Sequence, residues 1–80
     1  MRNQKKIRLT SVGEAMEFVK RASKCDCDVD VFYNRVVIDA KSLLGVLSMD
    51  LTRELTVSIN GKDTEFETYL DELFHKNIAA

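Results

Sequence analysis

The chain contains 80 residues, with a hydrophobic fraction of 45% and a formal net charge of −1. A chain of this size forms one small domain, here residues 1–80, with a core too thin to support deep catalytic machinery easily, and its composition argues against disorder. The near-zero charge argues against direct nucleic-acid binding, because contact with phosphates needs a surplus of basic side chains. No apolar run approaches the ~20 residues that span a bilayer, and the basic N-terminal segment lacks the apolar region of a signal peptide. We therefore expect a cytoplasmic protein without membrane contact.

The candidate metal ligands are few. Cys25 and Cys27 form a Cys-x-Cys pair, which supplies two thiolates where zinc requires four ligands. The single histidine, His75, lies far along the chain on a segment predicted to be an exposed helix face. We therefore predict free thiols, no metal site and no cofactor.

The first two elements follow from periodicity and a capping signal. Alternation over residues 5–10 predicts a half-buried strand. Ser11-Val12-Gly13-Glu14 has the capping-box pattern, in which the Ser11 hydroxyl accepts from the Glu14 amide and the Glu14 side chain reaches back. A helix is expected over residues 12–24. Its predicted buried stripe consists of Val12, Ala15, Met16, Val19 and Ala22.

The remaining segments predict a hairpin, a short helix, a strand and a final helix. Alternation over 29–33 and the run 36–38 indicate two strands joined by a tight turn at Asn34. Residues 42–49 form the short helix, and 55–59 form the fourth strand. Thr64 and Glu67 offer a second capping box before the last helix. The apolar stripe of that helix consists of Phe66, Tyr69, Leu70, Leu73 and Phe74.

The resulting order, βαββαβα, predicts an α+β fold. Its expected form is an open-faced sandwich, with a four-stranded antiparallel sheet covered on one face by three helices. The other face of the sheet is expected to be solvated, which suits Asp30, Thr56, Ser58 and the early lysines.

This order and three stretches of sequence together resemble the HPr family, the histidine-containing phosphocarriers of the bacterial sugar phosphotransferase system. The stretches are Val19-Lys20-Arg21-Ala22-Ser23-Lys24, Tyr33-Asn34 and Lys41-Ser42-Leu43-Leu44-Gly45-Val46-Leu47-Ser48. The last is the most specific, because it resembles the regulatory-serine signature of the family. Within the family, the chain is most similar in kind to the Crh-type branch, which lacks the active-site histidine.

The resemblance implies that the phosphoacceptor motif is missing. Family members carry a Gly-x-His-Ala-Arg-Pro-like motif at the start of the first helix, and its histidine, arginine and proline positions fall on Ser11, Gly13 and Glu14. A phosphoserine is far more stable than a phosphohistidine, so Ser11 could not readily pass a phosphoryl group onward. His75 cannot substitute, because it belongs to another helix. We expect a helix-capping role for Ser11, no catalytic residue and no enzyme activity.

The second family site is a regulatory serine, which corresponds to Ser42. In one branch of the family, HPr kinase/phosphorylase modifies this serine, and the product binds a LacI-type catabolite repressor. A phosphate adds about −1.5 to −2 charge, which a helix N-terminus tolerates. A purely capping role for Ser42 remains open.

The resemblance also implies a protein-docking surface formed by Leu43, Leu44 and Leu47, although these leucines could instead fill the core. The leading hypothesis is a regulatory protein-binding module switched at Ser42. Its partners would be HPr kinase/phosphorylase, a LacI-type repressor or phosphotransferase-system enzymes, although Gly13 replaces an arginine used by the repressor-binding surface. A phosphoryl carrier with another acceptor and a non-phosphorylated scaffold are the alternatives. The sequence does not indicate an oligomeric state.

Overall fold

A computed structural model describes residues 2–78 of the chain, and the side chains of residues 3–77. The elements follow the predicted order: β1 (Arg2–Ile7), α1 (Val12–Ser23), β2 (Asp28–Tyr33), β3 (Val36–Asp39), α2 (Leu43–Leu47), β4 (Leu55–Asn60) and α3 (Thr64–Ile78). The strands form one antiparallel sheet in the order β1-β4-β2-β3. The predicted open-faced α+β sandwich is confirmed.

The core lies between the sheet and the helices. Alternate residues of the strands are buried on the helix side, because successive side chains of a strand point to opposite faces. The fully buried side chains include Ile7, Val29, Val31, Leu55, Val57 and Ile59 from the strands and Phe18, Val46 and Leu70 from the helices. The predicted tight turn between β2 and β3 is confirmed, and Asn34 adopts a φ of 53° there.

The first strand lies earlier than predicted. It ends at Ile7, which is paired with Leu55, the first residue of β4. Residues 8–10 have no strand to pair with, although Leu9 keeps the buried side that its alternation indicated.

The buried stripe of α1 also differs from the prediction. Val12 and Met16 are 58% and 52% exposed, and Phe18 takes a fully buried place instead. Ala15, Val19 and Ala22 are buried as expected. At 100° per residue, positions 12 and 16 fall on the flank of this stripe. Met16 lies beside Leu43 of α2, whereas Val12 lies beside Leu51, which follows α2.

Two further expectations are wrong. The start of α3 is capped by Asp63 rather than Thr64, because Asp63 Oδ1 accepts from the Phe66 amide at 3.0 Å. Ser58 is only 1% exposed, although it lies on the face of the sheet away from the helices. It is buried because β4 is an interior strand, with Gln4 and Asp30 directly beside Ser58.

Candidate functional site

Ser11 begins α1 as its N-cap. Its Oγ accepts from the Glu14 amide at 3.1 Å, which confirms half of the predicted capping box. The return contact differs from the prediction, since Glu14 Oε1 accepts from the amide and hydroxyl of Thr10, each at 2.8 Å, rather than from Ser11. Both cap contacts therefore hold the loop before α1 against its first turn.

The Glu14 carboxylate also joins α1 to the end of α3. Lys76 Nζ lies 3.3 Å from Glu14 Oε2, and Asn77 Nδ2 donates to Glu14 Oε1 at 3.0 Å. Asn77 Nδ2 also donates to the Arg8 carbonyl. We call Thr10, Glu14, Lys76 and Asn77 the Glu14 cluster.

The Glu14 cluster keeps a negative charge at the N-terminus of α1. Desolvation of the Glu14 carboxylate, whose side chain is 16% exposed, acts to raise its pKa. The hydrogen bonds from Thr10, Lys76 and Asn77 outweigh that effect and lower the pKa below its ordinary value. The negative charge of Glu14 therefore already compensates the positive N-terminal end of the α1 dipole.

Sequence reasoning missed Thr10, Lys76 and Asn77 as neighbours of Ser11. The sequence carries a usable signal at Asn77, because this residue follows Leu70 and Leu73 at helical spacing. The structure buries it accordingly, with 8% of its surface exposed. A buried asparagine on an apolar stripe needs hydrogen-bond partners. The sequence around Thr10 and around Lys76 gives no indication that both residues contact the Glu14 carboxylate.

The only histidine of the chain does not join this site. His75 is exposed on α3, and its ring centroid lies 6.1 Å from that of Phe74. Among the side chains of residues 3–77, no hydrogen bond connects His75 with Ser11.

Ser42 begins α2 as its N-cap, as predicted. Its Oγ accepts from the Gly45 amide at 3.1 Å, and its carbonyl accepts from the Val46 amide at 3.0 Å. The side chain is partly exposed. Lys41, directly before it, donates from Nζ to the Cys25 carbonyl at 3.0 Å and so ties this corner to the end of α1.

Gly45 allows α2 to approach β3 closely. A Cβ at this position would lie 2.7 Å from Ile38 Cγ2 and 3.1 Å from Ser42 Oγ. The absent side chain therefore leaves room both for the β-branched Ile38 and for the hydroxyl of Ser42.

Exposed apolar side chains lie on α1 and α2, on both sides of the junction of these helices. Leu44 is 83% exposed and Leu47 is 37% exposed, whereas Leu43 is half-buried against the core. Met16 and Leu43 line one shallow groove between α1 and α2. We call Val12, Met16, Leu43, Leu44 and Leu47 the apolar patch.

The cysteines form no disulfide. Burial and the nearby Asp63 raise the pKa of the Cys25 thiol to about 12. Across the described part of the chain, no group of three His, Cys, Asp or Glu side chains is arranged to hold a metal ion. No helix within residues 2–78 is long and apolar enough to cross a membrane.

Comparison with known proteins identifies the family. The family model described as "PTS HPr component phosphorylation site" matches residues 11–75. The chain belongs to the HPr family. Members of this family are phosphocarrier proteins of the phosphotransferase system rather than enzymes.

Two solved HPr structures share the fold. "HPr-C-His" from Thermoanaerobacter tengcongensis has a TM-score of 0.75 and 21% sequence identity, over 100% of this chain and 97% of that one. Phosphocarrier protein HPr from Bacillus anthracis str. Ames has a TM-score of 0.67 and 21% identity, over 92% and 94% of the two chains. At this identity the likeness concerns the fold alone.

Proposed function

We propose that this HPr-family protein is a regulatory protein-binding module that is switched by phosphorylation of Ser42. The observation that carries the proposal is the contrast between its two helix-capping serines. Ser42 is a partly exposed cap next to the apolar patch. Ser11 is also exposed, but it caps a helix start where the Glu14 carboxylate is already bound by three other residues.

The start of α1 is poorly suited to phosphoryl relay. On this proposal Ser11 occupies the phosphoacceptor position, with Gly13 and Glu14 at the neighbouring motif positions. The Glu14 carboxylate would repel an incoming phosphate, and Gly13 offers no cation to neutralise it. A serine phosphoester would also hold its phosphoryl group where a relay must release it.

The start of α2 suits a stable modification. A phosphate on Ser42 would bring about −1.5 to −2 charge to the first turn of α2, where the helix dipole favours an anion. Because Ser42 lies at the surface, the modification would change the charge beside Leu43, Leu44 and Leu47 while leaving the core intact.

The apolar patch is the surface that we assign to protein docking. An exposed cluster of large apolar side chains is a common mark of a protein-interaction site. Leu44 is its most exposed member, so it is the side chain with most to gain from burial by a partner. Candidate partners are HPr kinase/phosphorylase, a LacI-type catabolite repressor and phosphotransferase-system enzymes, all within the cytoplasm.

Incubation with HPr kinase/phosphorylase and ATP, followed by intact-mass analysis, tests this proposal. We expect one added phosphate on the wild-type chain and none on S42A. The matched control is S11A, which removes the other helix-capping serine and should still accept one phosphate. An unmodified wild-type chain, or undiminished labelling of S42A, would contradict the proposal.

The carrier alternative is tested separately with phosphoenolpyruvate and enzyme I. We expect no phosphoryl transfer to the chain, because the acceptor position carries Ser11 and the Glu14 carboxylate lies beside it. Labelling that can be passed onward would favour a carrier. Partner binding that S42A leaves unchanged would favour a scaffold that works without phosphorylation, for which the exposure of Leu44 is the supporting observation.

A further inference from the structure

Strand β3 forms one edge of the sheet and remains exposed. It pairs with β2 alone, and its side chains Val36 and Val37 are 47% and 55% exposed. An edge strand presents unpaired backbone groups to other chains, and proteins commonly protect such edges with charges or cover them. The two adjacent valines provide neither protection, and the charges of this edge lie only at its ends, at Arg35 and Asp39.

The backbone of β3 turns a defined set of groups outward. The Ala40 amide donates to the Val29 carbonyl at 2.9 Å, which makes these residues a hydrogen-bonded pair of the antiparallel ladder. Such pairs alternate with pairs that share no hydrogen bond. Ile38 and Val36 therefore face β2 through their backbone groups, whereas Val37 turns its N–H and C=O away from the sheet.

The segment from Arg35 to Asp39 is complementary to a second copy of itself. In an antiparallel register centred on Val37, the two Val37 residues lie opposite each other. Each Arg35 then lies opposite Asp39 of the second copy, and each Val36 lies opposite Ile38. Opposite charges and β-branched side chains are favourable cross-strand partners.

The charged side chains at both ends of this register are exposed and lack ion pairs within the described residues. Arg35 is exposed in the turn and joins no ion pair within the described residues. Asp39 is exposed. Its Oδ1 accepts from the Lys41 amide at 2.9 Å, and its carboxylate joins no ion pair within the described residues. A guanidinium from a second copy would therefore give the Asp39 carboxylate an ion-pair partner.

The same register also continues an apolar row. Val37 lies opposite the partly buried Phe32, on the face of the sheet away from the helices. In the paired arrangement, Val37 and Phe32 of both copies would form one strip across the junction, and the valines would lose water-exposed apolar surface.

We infer that the β3 edge binds a second copy of this chain, joining two four-stranded sheets into one of eight strands about a two-fold axis at Val37. The inference is independent of Ser42 and of the proposed function. Because the edge is only four residues long, its interface is small and the association is weak and concentration-dependent.

Sedimentation equilibrium and amide hydrogen exchange, from about 10 μM to about 1 mM protein, test the inference within the range expected for a small interface. We expect dimers at the upper end, with exchange of the Val37 amide slowing as they form. R35E and D39R should each weaken association about tenfold or more, because each places like charges opposite one another. An equimolar mixture of the two variants should restore it, since the introduced carboxylate of one copy then faces the introduced guanidinium of the other.

The matched control is K62E, which makes the same charge change as R35E in the loop before α3 and should leave association unchanged. Circular dichroism checks folding of each variant. If D39R does not fold, R35E decides alone, because it alters only an exposed turn side chain. A chain that stays monomeric throughout, or a dimer that R35E leaves intact, would overturn the inference.

Discussion

Glu14 is one of the residues that connect the first helix with the last, beside the Phe18–Phe66 ring contact and Arg21 over the Tyr69 ring. Its carboxylate accepts from Thr10 and Asn77 and pairs with Lys76, which lie on both sides of the α1–α3 contact. Because these contacts favour the ionised form, the pKa of Glu14 is lowered in the folded protein relative to the unfolded chain. The charge of this one side chain therefore contributes to folding stability.

We predict that E14Q lowers the free energy of unfolding by ~1 kcal/mol at neutral pH, the usual worth of charge-assisted hydrogen bonds at a partly exposed site. Since the folded-state pKa is depressed, the contribution of Glu14 is present above its ordinary pKa of 4.5 and is lost as the pH falls through the folded value.

Urea unfolding at several pH values should show that the difference in unfolding free energy between wild type and E14Q shrinks in acid. E72Q, a substitution on the exposed side of α3, should not reproduce this pH dependence. A difference independent of pH would count against the role assigned to the charge.

At the scale of elements, the position of α2 against β3 depends on the absence of a side chain at Gly45. The space that a side chain at Gly45 would occupy is filled by Ile38 of β3 and by the Ser42 hydroxyl. Gly13, in the first turn of α1, has no such crowding, because the nearest atom to a Cβ there would be Ser11 Oγ at 3.7 Å. The two helical glycines therefore differ in what they permit.

We predict opposite effects of the same substitution at these glycines. G45A should destabilise the protein by ~1–3 kcal/mol, because Ile38 and α2 must shift to relieve the overlap. G13A should be neutral or stabilising by up to ~1 kcal/mol, as alanine favours helix. Thermal and urea unfolding of both variants measures the contrast. Equal effects would show that helix propensity, rather than the approach of α2 to β3, governs these positions.

At the scale of the whole molecule, the reactivity of the buried Cys25 thiol measures unfolding of the domain. Cys25 is 4% exposed, and burial, aided by Asp63, raises its pKa to about 12. Since the thiolate is the reactive form, the folded state suppresses reaction at this site twice, through access and through ionisation.

We predict that the C27S variant, with Cys25 as its single thiol, reacts with iodoacetamide at least ~10-fold more slowly when folded than when unfolded in urea, at about pH 8. The C25S variant keeps the partly exposed Cys27 and should show a smaller contrast. Equal rates for folded and unfolded C27S would mean that this part of the core opens without unfolding of the domain.

Features set by neighbours in sequence were predictable, and those set by distant contacts were not. Alternation placed Val29 and Val31 on the buried face, and the cap of Ser42 follows from its own helix. The contact of Glu14 with Asn77, 63 positions away, depends on how α1 and α3 pack. The burial of Ser58 likewise depends on the strand order, since an isolated strand gives no sign of being interior.

The strand order has a consequence for how the chain emerges during synthesis. β4 is the last strand to be made, yet it lies between β1 and β2 and hydrogen-bonds to both. A nascent chain that ends after α2 can form the β2–β3 hairpin, but β1 then has no strand beside it. The sheet can close only after residues 55–60 have left the ribosome, so a shorter nascent chain leaves β1 unpaired and one edge of β2 exposed.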